Sequence, residues 1–138
     1  MNIDKVAILV KKAALQAEKI QNPILQEYDL TVSQYKFLKY LYRAEKNSVR
    51  IADLEKYYSM THPAAIDILK VLEKKGYTVR TVNPEDARSK IVSLTEKAYA
   101  EQAMLEALGN QMESAVTQQL TEKERTELIR LLKKLLGI

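Results

Sequence analysis

Three glycines and three prolines in 138 residues constrain this chain more than any other feature. Helices stop most often at glycine or proline, so their scarcity predicts long helices. It also excludes glycine-rich phosphate loops. Motifs such as GxGxxG need closely spaced glycines, whereas Gly76, Gly109 and Gly137 lie 33 and 28 residues apart.

There is no cysteine, which excludes disulfides, thiolate metal sites and thiol redox chemistry. The longest uncharged stretch is the ten residues Tyr57 to Ile66, well short of the ~20 that a membrane-crossing helix needs. Asp4, Lys5, Lys11 and Lys12 interrupt the apolar core of a would-be signal peptide. The expectation is a folded cytoplasmic protein, 1–138 forming one domain, with no membrane contact.

Charge is unevenly placed. Residues 1–30 carry net 0, residues 31–97 carry 13 Lys/Arg against eight Asp/Glu, and residues 98–138 carry net −1. The positive excess therefore belongs to the middle of the chain. A basic centre between neutral helical ends suits a polyanion-binding module on an assembly scaffold; a lysine-rich solvated surface is the plainer alternative.

Apolar periodicity places the elements. Ile3, Val6, Val10, Ala13, Ala17 and Ile20 recur at three- and four-residue intervals, a helical seam predicted to run from about Ile3 to Gln21. Asn22-Pro23 should stop it, because the residue before proline avoids the helical region. This seam needs cover from a partner subunit or from the C-terminal part of the chain. Thr31 and Gln34 have capping-box spacing, with Leu30 and Tyr35 as the staple, and open a second helix whose run Lys46-Asn47-Ser48 ends. Ser48 to Ile51 reads as a short extended segment, and Ala52 to about Tyr58 as a brief helix with Leu54 and Tyr58 inward.

Thr61 is a good N-cap, and Pro63 sits where a first helical turn tolerates proline. Ala65, Ile68, Leu69 and Leu72 then form the buried stripe of a helix that Gly76 ends. Two short helices across a tight turn are a helix-turn-helix candidate. Tyr77 to Val82, the turn Asn83-Pro84-Glu85-Asp86, and Ser89 to Leu94 read as a β-hairpin, which directly after such a pair is a wing. Thr95 should cap one long helix bearing Leu105, Leu108, Met112 and Val116. Thr121 and Glu124 form a second capping box, ahead of Leu128, Leu131, Leu132, Leu135 and Leu136.

Leu30-Thr31-x-x-Gln34, Leu72-Glu73-Lys74-Lys75-Gly76, and Asn83-Pro84-Glu85-Asp86-Ala87-Arg88 followed by Val92-Ser93-Leu94-Thr95-Glu96 together resemble the MarR family of winged helix-turn-helix transcription regulators. The order and spacing of these pieces carry the resemblance, and the flanking helices extend it over essentially the whole chain. It implies a mostly α (α+β) fold, with a winged lobe at 30–97 bearing a two-stranded wing. Helices from 1–29 and 98–138 would form a dimerisation stalk, with Ile3, Val6, Val10, Ala13, Ala17, Ile20, Leu128, Leu131 and Leu135 at the interface. The implied function is regulation of transcription, in the repressor mode, by a homodimer on a palindromic double-stranded DNA operator. Small phenolic or anionic effectors that bind between stalk and lobe release many members; no cofactor is expected.

On this reading the helix from Thr61 enters the major groove. The open N-terminus near Thr61 would offer backbone N–H groups to a phosphate, and His62, Ala64, Ile66, Asp67 and Lys70 would face outward. Ile66 suits a thymine methyl, and Asp67 can accept from cytosine N4. Asp86-x-Arg88 matches the family's DxR element, which places Arg88 at the minor groove with Asp86 orienting it or bracing the hairpin. Arg80 and Lys90 would be secondary phosphate contacts. Family members commonly carry Thr, Ser or Arg at the positions of Ala64, Ile66 and Asp67, so a winged-helix protein with altered or lost base readout, acting through protein or ligand binding, stands as the alternative.

His62 is the only histidine, so a histidine zinc cluster is excluded and a surface polar contact is its simplest role. The eight tyrosines could line an aromatic pocket, though core and interface positions explain most of them. Met104 and Met112 are core fillers. No nucleophile–base pair or recognisable acid pair supports an enzyme.

Overall fold

The computed structural model describes residues 4–138, so Ile3 and the expected start of the first helix lie outside the described residues. The elements run α1 (Val6–Gln26), α2 (Val32–Arg43), β1 (Val49–Arg50), α3 (Ile51–Tyr57), α4 (His62–Lys74), β2 (Thr78–Asn83), β3 (Asp86–Leu94), α5 (Glu96–Ala100), α6 (Gln102–Val116) and α7 (Glu122–Leu136). The fold is mostly helical with a winged helix-turn-helix lobe, as expected. The wing hairpin gains a third strand: the extended segment pairs Val49 with Val92 and Arg50 with Ile91, in an antiparallel sheet of order β1-β3-β2.

Local chemistry explains most boundaries. Threonine caps four helices: Thr31, Thr61, Thr95 and Thr121 accept from the backbone N–H of Gln34, Ala64, Ala98 and Glu124, at 3.1–3.3 Å, which satisfies a donor the helix cannot. Gly76, at φ +84, ends α4. Its N–H donates to the Glu73 carbonyl and that of Tyr77 to Leu72, at 3.0 and 2.9 Å, the 5→2 and 6→1 bonds of a Schellman stop.

Strand β3 begins at Asp86, three residues before the expected Ser89, and two helices differ from expectation. Helix α1 passes through Pro23 and ends five residues later than predicted. Proline removes one intrahelical bond, but Leu25 beyond it is wholly buried, and core packing holds the last turn. The reversal comes at Asp29, which adopts φ 55. The single helix predicted after Thr95 is broken at Glu101 into α5 and α6. There the Ala98 carbonyl, which a continuous helix would offer to Gln102, accepts the Tyr42 hydroxyl; an inserted side chain of this kind interrupts the ladder.

The core gathers Leu25, Phe37, Leu38, Leu54, Leu69, Leu72, Val92 and Leu105, all nearly inaccessible, and so ties α1, α2, α3, α4, the sheet and α6 together. Ile68 is only partly buried, unlike Ala65, Leu69 and Leu72 of the same stripe. Helix α7 buries none of its residues. No helix among the described residues is long and apolar enough to cross a membrane.

Candidate nucleic-acid interface

Helices α3 and α4 meet across a turn in which Ser59 adopts φ 52 and the Met60 N–H donates to the Glu55 carbonyl at 2.9 Å. The start of α4 is a poorer anion trap than expected. Thr61 takes the Ala64 N–H and Pro63 has none, which leaves His62 as the open backbone donor among the first three helical positions.

The outward face of α4 is narrower than the sequence suggests. Thr61, His62, Asp67 and Lys70 are exposed, but Ala64 and Ile66 are half-buried, and Ile66 packs against the core. Four-residue spacing puts Ile66 beside Lys70 on the helix, yet Lys70 is exposed while Ile66 is partly taken by the core. Lys74, exposed one turn beyond Lys70, extends the basic edge. Nothing in its sequence position marks Glu55. Its carboxylate meets the His62 Nδ1 at 3.3 Å, a contact across two elements that no local spacing signals.

The wing separates its charged residues into two groups. Arg80 forks onto Glu73, with Nε facing Oε1 and Nη2 3.3 Å from Oε2. It therefore ties β2 to α4, its charge already matched, which weakens its expected part as a phosphate contact. Arg88 and Lys90 are exposed, and neither makes an ion pair within 4.0 Å among the described residues. At the tip the Asn83 side chain accepts from the Glu85 N–H, and Asp86 Oδ1 accepts from the Arg88 N–H, each at 3.0 Å. Asp86 thus braces the hairpin backbone while the Arg88 guanidinium stays free.

Away from this face, a cleft of about 230 Å³ lies between α2 and α6, lined by Tyr35, Lys39, Tyr42, Arg43 and Asn110 among others. Burial raises the phenol pKa values of Tyr35 and Tyr42, so both hydroxyls stay protonated donors. Tyr35 gives its proton to the Leu105 carbonyl at 3.2 Å, and Lys39 lies 6.0 Å from its ring centre. Tyr35 and Tyr77 are core residues, and Tyr40, Tyr42 and Tyr58 pack against the core, whereas Tyr28, Tyr57 and Tyr99 are exposed; of the eight, Tyr35 and Tyr42 line this cleft.

The expected interface residues lie open in the protomer. Val6 and Val10 are 64% and 40% exposed, and Leu128, Leu131 and Leu135 41%, 46% and 58%; Ala13 is exposed, while Ala17 and Ile20 are half-buried. Apolar stripes this open on two helices are surfaces that remain to be covered.

Residues 19–104 match the family model described as Transcriptional regulator SarA/Rot. The chain is 31% identical over 105 residues to the HTH-type transcriptional regulator SarZ of Staphylococcus aureus, covering 76% of this chain and 68% of SarZ. It is 29% identical to the regulator Hpr of Bacillus cytotoxicus over 93 residues, 67% of this chain but only about half (49%) of Hpr. Among solved structures, a MarR mutant from E. coli complexed with operator DNA superposes with a TM-score of 0.83 at 29% identity, over 95% of this chain and 93% of that one. The S. aureus MepR–DNA complex gives 0.83 at 25% identity, over 96% and 97%. These relatives are regulators and not enzymes, and the MarR-type winged helix extends over nearly the whole chain. The chain belongs to the SarA/Rot family of transcriptional regulators.

Proposed function

We propose that this protein acts in the cytoplasm as a homodimer that binds a palindromic double-stranded DNA operator and represses transcription. The observation that carries this reading is the free Arg88 guanidinium on a braced wing tip, in the same lobe as the exposed His62, Asp67 and Lys70 of α4. Helix α4 enters the major groove, with Asp67 at a base edge and Lys70 at a base edge or phosphate, and Arg88 enters the adjoining minor groove. The MarR and MepR structures on DNA support this arrangement.

A lobe of this size reads one half-site. The apolar stripes of α1 and α7 join two protomers, which sets the half-sites about one helical turn apart. The cleft between α2 and α6, lined by two phenols, the cations Lys39 and Arg43 and the single carboxylate Glu106, is the seat for a small phenolic or anionic effector that releases the operator.

Selection of bound duplexes from a random pool, followed by affinity measurements across salt concentrations, tests the reading. The expected result is a palindrome whose affinity falls steeply with salt. Salt-insensitive or absent duplex binding would reject it. The second reading, a winged helix with reduced base readout, draws on the half-burial of Ala64 and Ile66; it predicts salt-dependent binding with no preferred sequence.

A further inference from the structure

We infer that Glu55 is a positioning residue that holds the His62 ring with Nδ1–H turned inward, so that recognition at the start of α4 runs through Nε2. The recognition step rests on the DNA-binding reading above; the hold on the ring does not.

Glu55 lies on α3 and His62 at the first position of α4, and their side chains meet with Nδ1 3.3 Å from Oε2. The Glu55 side chain is 22% exposed and that of His62 63%, so the carboxylate is the sheltered partner and the ring the presented one. The backbone carbonyl of Glu55 also holds the turn, through the Met60 N–H. One residue therefore anchors both the turn and the first side chain of α4.

An ionised carboxylate only accepts, so the nitrogen facing it must be the donor. In a neutral imidazole, the bond made by one nitrogen decides the state of the other. With Nδ1–H committed to Glu55, the exposed Nε2 carries a lone pair. At a major-groove edge that lone pair accepts from an amino group, N4 of cytosine or N6 of adenine. The opposite tautomer would present an N–H and select the acceptors of guanine. Glu55 thus chooses the sign of the contact without touching DNA.

Because His62 is the only histidine, its two ring nitrogens give an unambiguous pair of ¹⁵N NMR signals. At pH about 8, where an imidazole is ordinarily neutral, the free wild-type protein should show a protonated Nδ1 and an unprotonated Nε2. Glu55→Leu should move the proton toward Nε2. Glu55→Gln keeps the packing if the leucine variant fails to fold; its amide satisfies either tautomer, so it should give a mixture. A wild-type ring protonated at Nε2, or signals that no Glu55 substitution moves, would overturn the inference.

In duplex selection, His62→Ala and Glu55→Leu should both lose about tenfold preference at one base pair in each half-site. Preference elsewhere and the salt slope should stay unchanged. Unaltered preference in His62→Ala would remove the recognition step alone. If the wild type selects no duplex, the DNA-binding reading itself falls, while the NMR measurement still decides whether Glu55 sets the tautomer.

Discussion

The hydroxyl of Tyr35 occupies the space that a side chain at Gly109 would fill. A Cβ built on Gly109 would lie 2.1 Å from the Tyr35 Oη and 3.4 Å from the ring carbon that bears it. The same hydroxyl donates to the Leu105 carbonyl, one turn earlier on α6. The glycine therefore lets α2 approach α6 at the edge of the cleft, and it does so at an ordinary helical position with no unusual backbone angle.

The sign of a substitution at 109 follows from this. In an exposed helix, glycine to alanine stabilises by up to ~1 kcal/mol. Here Gly109→Ala should destabilise by about 1–3 kcal/mol through overpacking and displacement of the Tyr35 hydroxyl. In a Tyr35→Phe background the obstructing oxygen is gone, and the same change should be neutral or stabilising. Urea unfolding of the four proteins of this cycle checks it; equal effects in both backgrounds would contradict the assignment.

The two wing arginines should separate by salt dependence. Arg88→Ala should weaken duplex binding for all sequences and lower the salt slope by about one. Arg80→Ala should leave the slope nearly unchanged, because Glu73 already matches its charge. Fluorescence anisotropy on one selected duplex over a salt series measures both. The reverse ranking would place Arg80, not Arg88, at the phosphates.

Assembly should fail without loss of the protomer's fold. Val10→Asp and Leu131→Asp put charge on stripes that are open in the single chain, so circular dichroism should remain helical. Sedimentation velocity should show monomers, and duplex affinity should drop by orders of magnitude as the second half-site contact is lost. A variant that stays dimeric would remove that residue from the interface.

Alkaline pH should destabilise the protein in a defined window. Burial raises the pKa values of Tyr35, Tyr42 and Tyr77 and pushes Tyr58 up to about 12. The folded state keeps these protons where the unfolded chain, near pH 10, releases them. The associated stability is full below pH ~10 and declines as pH rises toward ~12. Urea midpoints and phenolate absorbance across that range check the sign; a midpoint that rises with pH would reverse it.

Much of the fold was legible because its determinants are local. The threonine caps, the Gly76 stop and the Asn83-Pro84-Glu85-Asp86 turn act through groups within five residues, and the structure places each where its spacing predicts. Pro23 misled for an instructive reason. Losing one hydrogen bond is a local penalty, whereas the burial of Leu25 that offsets it is a tertiary gain. The break at Glu101 likewise depends on Tyr42, a residue 56 positions from the Ala98 carbonyl it caps.

The candidate site divides along the same line. The order of residues determined that Thr61 caps α4, which side chains the helix offers, and that Arg88 lies beside a wing turn, since these follow from helical period and hairpin register. Only the folded arrangement decided which of them are free. Glu73 neutralises Arg80, the core takes half of Ile66, and Glu55 turns His62. Such pairings join groups from different elements, so their distances are set by how helices and sheet pack and not by intervals along the chain.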